Sequence, residues 1–512
     1  MRRWLQFRRG FRPWLVKVAR TSVTPTLLLA GALLGGCTVG PNYKRPAATV
    51  PPQWDVAEPW RESAPKDSVP KGEWWDVFSD DELNAYEKQA LTENQTIKIS
   101  IAHLEQARAT AAIQVATLFP TLNAGTSSLG PNLGRQRLSG NRPTNGVPIT
   151  LQPVQQNTFV LPFTVSYEVD LFGRRRRSIE AAEASYQANA ADLENVRLLV
   201  TSQLAGDYFN LRQLDSEIGI LRRTVEALQK GLDLVNSRHS GGVASGLDVA
   251  QEETLLHTTR TQATLLEQER KQFEDAIAVL VGRAAPDFHV PIKELNAEPP
   301  PINAGLPSDV LERRPDIAEA ERQMAVANAQ IGIARAAYYP SLSLFGQAGW
   351  ESASISKLAN VQSIFWAVGA NVAEDIFTGG ARRAQVQFSR AGYDANVASY
   401  RETVLGAFQE VQDDLTGLSV LNDAQQSQQQ AVDAARRTLD ISTDRYSGGL
   451  VSYLDVVTAQ QNLLTDEQEL AIIHGQRLVT SVLLVKALGG GWDASSLAAV
   501  QVKPRAKDII TP

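Results

Sequence analysis

Two twelve-residue stretches decide how this chain is built: RHSGGVASGLDV, Arg238 to Val249, and RYSGGLVSYLDV, Arg445 to Val456, with eight identities at an offset of 207 residues. A second pair, ATAAIQVATLFPTL ending at Leu122 and AQIGIARAAYYPSL ending at Leu342, repeats at an offset of 220. Gly282 and Gly489 keep the 207-residue spacing. Two copies mean an internal duplication, not a many-unit solenoid. Each half is expected to run helix, two strands, very long helix, glycine turn, helix.

Proline placement says where the long helices lie. None of the 25 prolines falls between Phe163 and Ala285, or between Ser341 and Lys503, and proline is excluded from helix interiors. The first repeat is placed at 73–285, with a helix to about 118, strands at about 119–130 and 157–170, a long helix at about 174–236 and a helix at about 246–282. A Pro-rich linker spans 286–308. The second repeat, 309–490, has a helix at about 309–338, strands at about 339–352 and 362–376, a long helix at about 380–445 and a helix at about 453–488. A tail covers 491–512.

Leu211, Leu214, Ile218, Leu221, Val225, Leu228, Leu232 and Val235 recur at alternating spacings of three and four, the seam of a coiled coil. Val397, Tyr400, Val404, Phe408, Val411, Leu415 and Leu418 repeat the pattern nearly unchanged. Such helices would extend roughly 90 Å at 1.5 Å per residue, far beyond what a globular core needs.

The segments between helices alternate with period two instead. Phe159, Leu161, Phe163, Val165, Tyr167 and Val169 fall on one face of a strand. Leu342, Leu344, Gly346, Ala348 and Trp350 do so on another, Ile364, Trp366, Val368, Ala370 and Val372 on a third, and Leu122, Ala124 and Thr126 on a weaker fourth. The pattern fits either a small soluble sheet with one apolar face or membrane strands, which need about 9 to 11 residues. Four strands cannot seal themselves in a bilayer, because unpaired edge amides in hydrocarbon cost several kcal/mol each. Two copies would give eight strands and a filled interior, whereas three would give twelve and a bore.

The first 36 residues hold seven Lys/Arg and no acid, then TLLLAGALLGGC, Thr26 to Cys37. That apolar core is too short for a spanning helix and reads as an export signal. Leu34, Gly35 and Gly36 before Cys37 resemble a bacterial lipobox, which makes 1–36 a lipoprotein signal peptide and Cys37 the lipidated first residue. Thr38 is not the Asp that retains lipoproteins at the inner membrane in enteric-type sorting, so outer-membrane delivery is expected. Residues 37–72, with seven prolines beyond Cys37, are expected to form an extended tether without a core.

Without the leader, 43 basic residues face 56 acidic ones, which argues against nucleic acid as a partner. One cysteine and five dispersed histidines, His103, His239, His257, His289 and His474, support neither a disulfide framework nor a metal centre. No nucleophile elbow, zinc-protease motif or Walker loop appears; Gly241 to Gly246 has the glycine spacing but continues Leu-Asp. Neither an enzyme nor a cofactor is expected. Arg174 to Arg177 form the one dense basic run, read as a solvated face or as a contact to lipid phosphates.

CTVGPNYKRP from Cys37, WWDVFSDDEL from Trp74, YEVDLFGR from Tyr167 and LPSDVLERRPDI from Leu306 to Ile317 together resemble the TolC-type outer-membrane efflux proteins, most nearly their NodT-like or OprM-like lipoprotein branch. The resemblance implies a homotrimer sharing one twelve-stranded barrel in the outer-membrane lipid, above a helical barrel that crosses the periplasm. It implies a periplasmic adaptor and a proton-driven inner-membrane pump as partners, and small molecules such as drugs as cargo. A protein-secretion channel and a lipid-anchored helical scaffold are the alternatives.

The same resemblance assigns the glycine turns to the periplasmic tip. Ser240, Gly241, Gly242, Ser447, Gly448 and Gly449 would meet the adaptor, and Asp455 would join a carboxylate ring in the constriction. Asp248 and Tyr446 match positions whose mutual hydrogen bond holds some members shut. The chain departs at Val451, where such members carry a bridging Arg, and at Thr458, where a second Asp can sit, leaving Arg445 as a substitute latch. From the residues alone, Ser245 and Ser452 each precede an Asp by three positions, so Asp248 and Asp455 also read as helix caps.

Overall fold

The computed structural model describes residues 38–47, 50–51, 54, 73–134, 154–302 and 307–492. The leader, Cys37, most of the tether and the tail beyond 492 lie outside the described residues. Helices α1 (Asp81–Glu93) and α2 (Gln95–Ala116) lead into strands β1 (Thr121–Ala124), β2 (Ser127–Gly134) and β3 (Val154–Val169). Helices α3 (Arg174–Ser240) and α4 (Gly246–Leu280) complete the first repeat. The second has α5 (Pro307–Arg313), α6 (Pro315–Ala336), β4 (Ser341–Ser352), β5 (Ile364–Ala373), α7 (Ala381–Ser447) and α8 (Tyr453–Ala487). The two long helices have 67 residues each and their return helices 35 each, so each rod reaches about 100 Å.

The helix expected to run unbroken to about residue 118 is interrupted at Asn94. Asn94 takes an extended backbone (φ -61°, ψ 130°), and its side chain accepts from the Thr96 and Ile97 amides at 2.8 and 3.1 Å, satisfying donors that a new helix start leaves open. Its Nδ2 donates to the Leu280 carbonyl at 2.8 Å. In the second repeat, Arg314 donates to the Ala487 carbonyl at 3.1 Å. The contact is the same one shifted by the two sequence offsets, made by a different residue.

One sheet joins the repeats in the order β1-β3-β4-β5, with β2 also on β3, all antiparallel. The strand expected at 119–130 is two strands on one edge of β3. Opposite the break stands Pro162, which has no N–H to give the ladder, although its carbonyl still accepts from the Gly125 amide at 3.1 Å. Pairing puts Leu122, Val165, Gly346 and Val368 in one row and Ala124, Phe163, Ala348 and Trp366 in the next. Residues paired across strands share a face, so the four alternating sets form one apolar surface. It is largely open: Leu122 is 69%, Trp366 74% and Val368 75% exposed.

The helices bury what the sheet leaves out. Leu211, Leu214, Ile218, Leu221, Leu228, Leu232 and Val235 are buried along α3, as are Tyr400, Val404, Phe408, Val411, Leu415 and Leu418 along α7. Val225 and Val397 are partly buried against the same clusters. The Pro-rich linker is tied in rather than loose: Arg212 donates to the Pro291 carbonyl and Arg270 to that of Val290, at 2.6 and 2.8 Å. Both guanidiniums also meet the buried Asp215.

The tether expected to lack a core contributes to one, since Tyr43, Val50 and Trp54 pack against the main cluster. Its first residues strap the repeats together. The Val39 amide donates to the Phe172 carbonyl at 3.2 Å, Asn328 donates to the Pro41 carbonyl at 3.0 Å, and Arg45 Nη2 donates to the Tyr400 hydroxyl at 3.2 Å. Gly40 (φ +106°) lies so close to Gly332 that a Cβ would stand 2.6 Å from its Cα. Three of the arginines from 174 to 177 also fasten this junction, a role that neither reading of the basic run included. Arg175 pairs with Glu168 and Arg176 with Asp170, while Arg177 donates to the Gly40 carbonyl at 3.3 Å and the Asn42 side chain at 2.8 Å.

Leu221 is fully buried in the seam. Leu221→Ala should destabilise the protein by about 2–5 kcal/mol, checked as a lowered thermal or denaturant midpoint.

Candidate functional site

Both glycine turns sit at the ends of the long helices farthest from the sheet, and they are built alike. Gly241 and Gly448 end the helices with ordinary negative φ, -77° and -79°. Gly242 and Gly449 take φ of +74° and +72°, a conformation costing other residues roughly 1–2 kcal/mol. The amides of Gly242 and Gly449 donate to His239 and Tyr446 carbonyls, each at 2.9 Å, and Val243 and Leu450 to Arg238 and Arg445, each at 2.9 Å. Ser240 and Ser447 hydroxyls return to their own helices at 2.9 and 2.7 Å. A Cβ on Gly242 or Gly449 would meet nothing within 4 Å.

The next helices start on capping boxes. The Asp248 carboxylate accepts from the Ser245 amide at 3.0 Å and the Asp248 amide donates to Ser245 Oγ at 3.2 Å. Asp455 accepts from the Ser452 amide at 3.1 Å and its hydroxyl at 2.8 Å. Asp455 is nevertheless exposed, so capping does not consume its charge. Val243, Leu247, Leu450 and Leu454 are 71%, 66%, 72% and 53% exposed, an apolar rim on the two turns that the charge-centred reading missed. Its only sequence signal was an apolar residue following each glycine pair.

The latch differs from expectation. No hydrogen bond joins Tyr446 to Asp248, whose carboxylate is engaged in its cap, and Arg445 is exposed at the turn. Instead Arg238 of α3 lies over the Tyr446 ring of α7 at 4.8 Å. Tyr446 tilts against Tyr453 of α8 with centroids 4.8 Å apart. Beyond the Tyr453 hydroxyl comes Glu252 of α4, fully buried with neither carboxylate oxygen in a hydrogen bond of normal geometry. Each of four helices thus contributes one side chain to a ladder joining the two hairpins. Arg238 and Arg445 occupy equivalent repeat positions, and packing, not sequence, selects the first.

Burial raises the pKa of Glu252 above the usual carboxylate range, against weaker lowering by Tyr453 and Gln460. Burial, with Glu252 beside it, pushes the Tyr453 phenol far up, so it stays a neutral donor. Among the described residues, no group of three or more His, Cys, Asp or Glu side chains could hold a metal ion. Strand β5 has no partner on its outer edge and β1 and β2 none on theirs among the described residues.

The sequence profile described as outer membrane efflux protein matches residues 87–283 and 306–490, one segment per repeat. The pyoverdine export outer membrane protein OpmQ of Pseudomonas aeruginosa is 33% identical over 475 residues, covering 92% of this chain and 97% of that one. The toluene efflux pump outer membrane protein TtgF of Pseudomonas putida is 32% identical over 470 residues, covering 90% and 95%. Among solved structures, the outer-membrane channel OprN superposes with a TM-score of 0.80 at 27% identity, over 89% of this chain and all of that one. The CmeC outer membrane channel of Campylobacter jejuni does so at 0.80 with 26% identity, over 92% and 98%.

Proposed function

Because the chain belongs to the outer membrane efflux protein family, we propose that three copies close their sheets into one twelve-stranded barrel and their helix pairs into one duct. The protein is the outer-membrane exit duct of a tripartite efflux system in a Gram-negative bacterium. The observation that carries the trimer is the open-edged sheet with an exposed apolar face, since a bilayer admits sheets only as closed barrels and twelve strands leave a bore. Transport through the bore is passive, with no chemical step and no cofactor.

The duplication also supplies the register between copies. The β3–β4 pairing, shifted by both repeat offsets, sets Val372 of β5 opposite Thr126 of the next copy. A Val372→Cys/Thr126→Cys protein should therefore give disulfide-linked dimers and trimers on a non-reducing denaturing gel, and neither single variant should. Absence of linked species from an intact trimer refutes this register; a monomer refutes the closure.

Thr38 supports lipidation of Cys37. It packs against Gly173, whose Cβ would stand 2.8 Å from the Thr38 Cα, so acyl chains on the preceding residue would enter the leaflet at the base of the apolar sheet. The apolar rim and open glycine turns fit the tips of an adaptor's helical hairpins, with an inner-membrane pump beyond. Small organic molecules are the cargo, as with the relatives named for toluene and pyoverdine.

Gly448 tests docking without backbone strain, because its φ suits any residue. Gly448→Glu should abolish efflux while trimer yield is unchanged; loss of the trimer would assign the turn a structural role. Asp455 would complete a three-copy carboxylate ring that favours cations. Asp455→Asn keeps an acceptor for Ser452 and should lower cation preference in planar bilayers, whereas unchanged selectivity removes Asp455 from the constriction.

A further inference from the structure

In the ladder Arg238–Tyr446–Tyr453–Glu252, the Glu252 carboxyl and the Arg238 Nε are the groups that their surroundings do not satisfy. Glu252 is fully buried and no hydrogen bond of normal geometry reaches either carboxylate oxygen, so Tyr453 and Gln460 offset its burial only weakly. It lies where α4 meets α3 and α8. On the α3 side stands Gly231, where any Cβ would collide with a Glu252 oxygen, so the helix approaches too closely for water to solvate the group. From α8, Tyr453 and Gln460 face it. Tyr446 of α7 stands behind Tyr453, with Arg238 of α3 on its far side. Asp248, one turn earlier on α4, adds a like charge near both tyrosines. The one cation in this set is two aromatic rings away from the carboxyl.

We propose that these four residues are a proton-linked latch on the periplasmic tip, engaged when Glu252 carries its proton and released when it ionises. The inference rests on the duct reading and adds the device that regulates it. A neutral carboxyl can remain between α4 and α8 and donate its own O–H. An ionised one requires water, and at this site water enters only if the α3–α4 hairpin separates from the α7–α8 hairpin. That separation pulls Tyr453 and Tyr446 off Glu252 and Arg238 and loosens the tip.

The direction of the pH effect follows from linkage. Burial raises the Glu252 pKa, so the packed tip is favoured below the ordinary carboxylate range and loses this stabilisation as pH rises through the raised value. The duct should conduct more readily at neutral pH than in acid.

The test is planar-bilayer conductance of the full-length trimer between about pH 5 and about pH 8, spanning the range above ordinary carboxylate titration. Wild-type conductance should rise several-fold with pH. Glu252→Gln, whose amide stands in for the protonated carboxyl, should hold the acid level throughout. Tyr453→Phe, which keeps the ring but removes the hydroxyl, should raise conductance at the acid end. Asp455→Asn should change selectivity and leave the pH profile intact. A Glu252→Gln profile that tracks wild type overturns the proposal, as does a pH response abolished by Asp455→Asn, which would place the titration in the constriction. Currents absent from every protein, wild type included, overturn the duct reading itself.

Discussion

An amide on the outer edge of β5 has no partner within the described residues of its own chain, and in hydrocarbon each such group costs several kcal/mol. The rest of the molecule is arranged around that deficit. The apolar rows on the sheet suit lipid and not water, and in the proposed trimer the edges that flank them would pair with further copies. The sheet, the strap and the start of α3 are fastened at one junction by Arg175, Arg176 and Arg177, and the strap reaches α7 through Arg45 and Tyr400. Stability at this junction comes from polar contacts of defined geometry around the buried Arg177, which favour one orientation more than nonspecific apolar packing does.

The duplication preserves geometry more strictly than chemistry. Asn94 and Arg314 reach equivalent carbonyls with side chains of different size and charge, because the requirement is a donor at that point in space and several residues can supply it. The tip shows the opposite case. Two nearly identical turns with nearly identical caps hold an asymmetric ladder, with Arg238 used and Arg445 left exposed. Equivalent positions diverge where the two hairpins face each other, since each can contribute only one side of a contact.

Periodicity made much of the fold legible. The three-four spacing identified the residues buried along α3 and α7, and the two-residue alternation identified the four sets that pairing brings into common rows. The break at Asn94 was not legible, because a capping Asn inside a helical pattern is distinguished only by the partner its amide finds at Leu280. Nor was the split between β1 and β2, which depends on Pro162 standing opposite Gly125 from another strand. The tether looked coreless since its apolar residues are few and scattered, yet Tyr43 and Trp54 have places waiting for them on α6 and α7.

Sequence alone determined the duplication, the helix and strand periods and the glycine turns, because each is written in local spacing and local backbone preference. Tertiary structure decided which of two equivalent arginines meets Tyr446, that Glu252 is sealed from water, and that the arginine run secures a junction. Those outcomes depend on elements far apart in the chain being packed together, as Arg238 is with Tyr446 and Arg177 with Gly40, and the burial and partners of a side chain are properties of that packing.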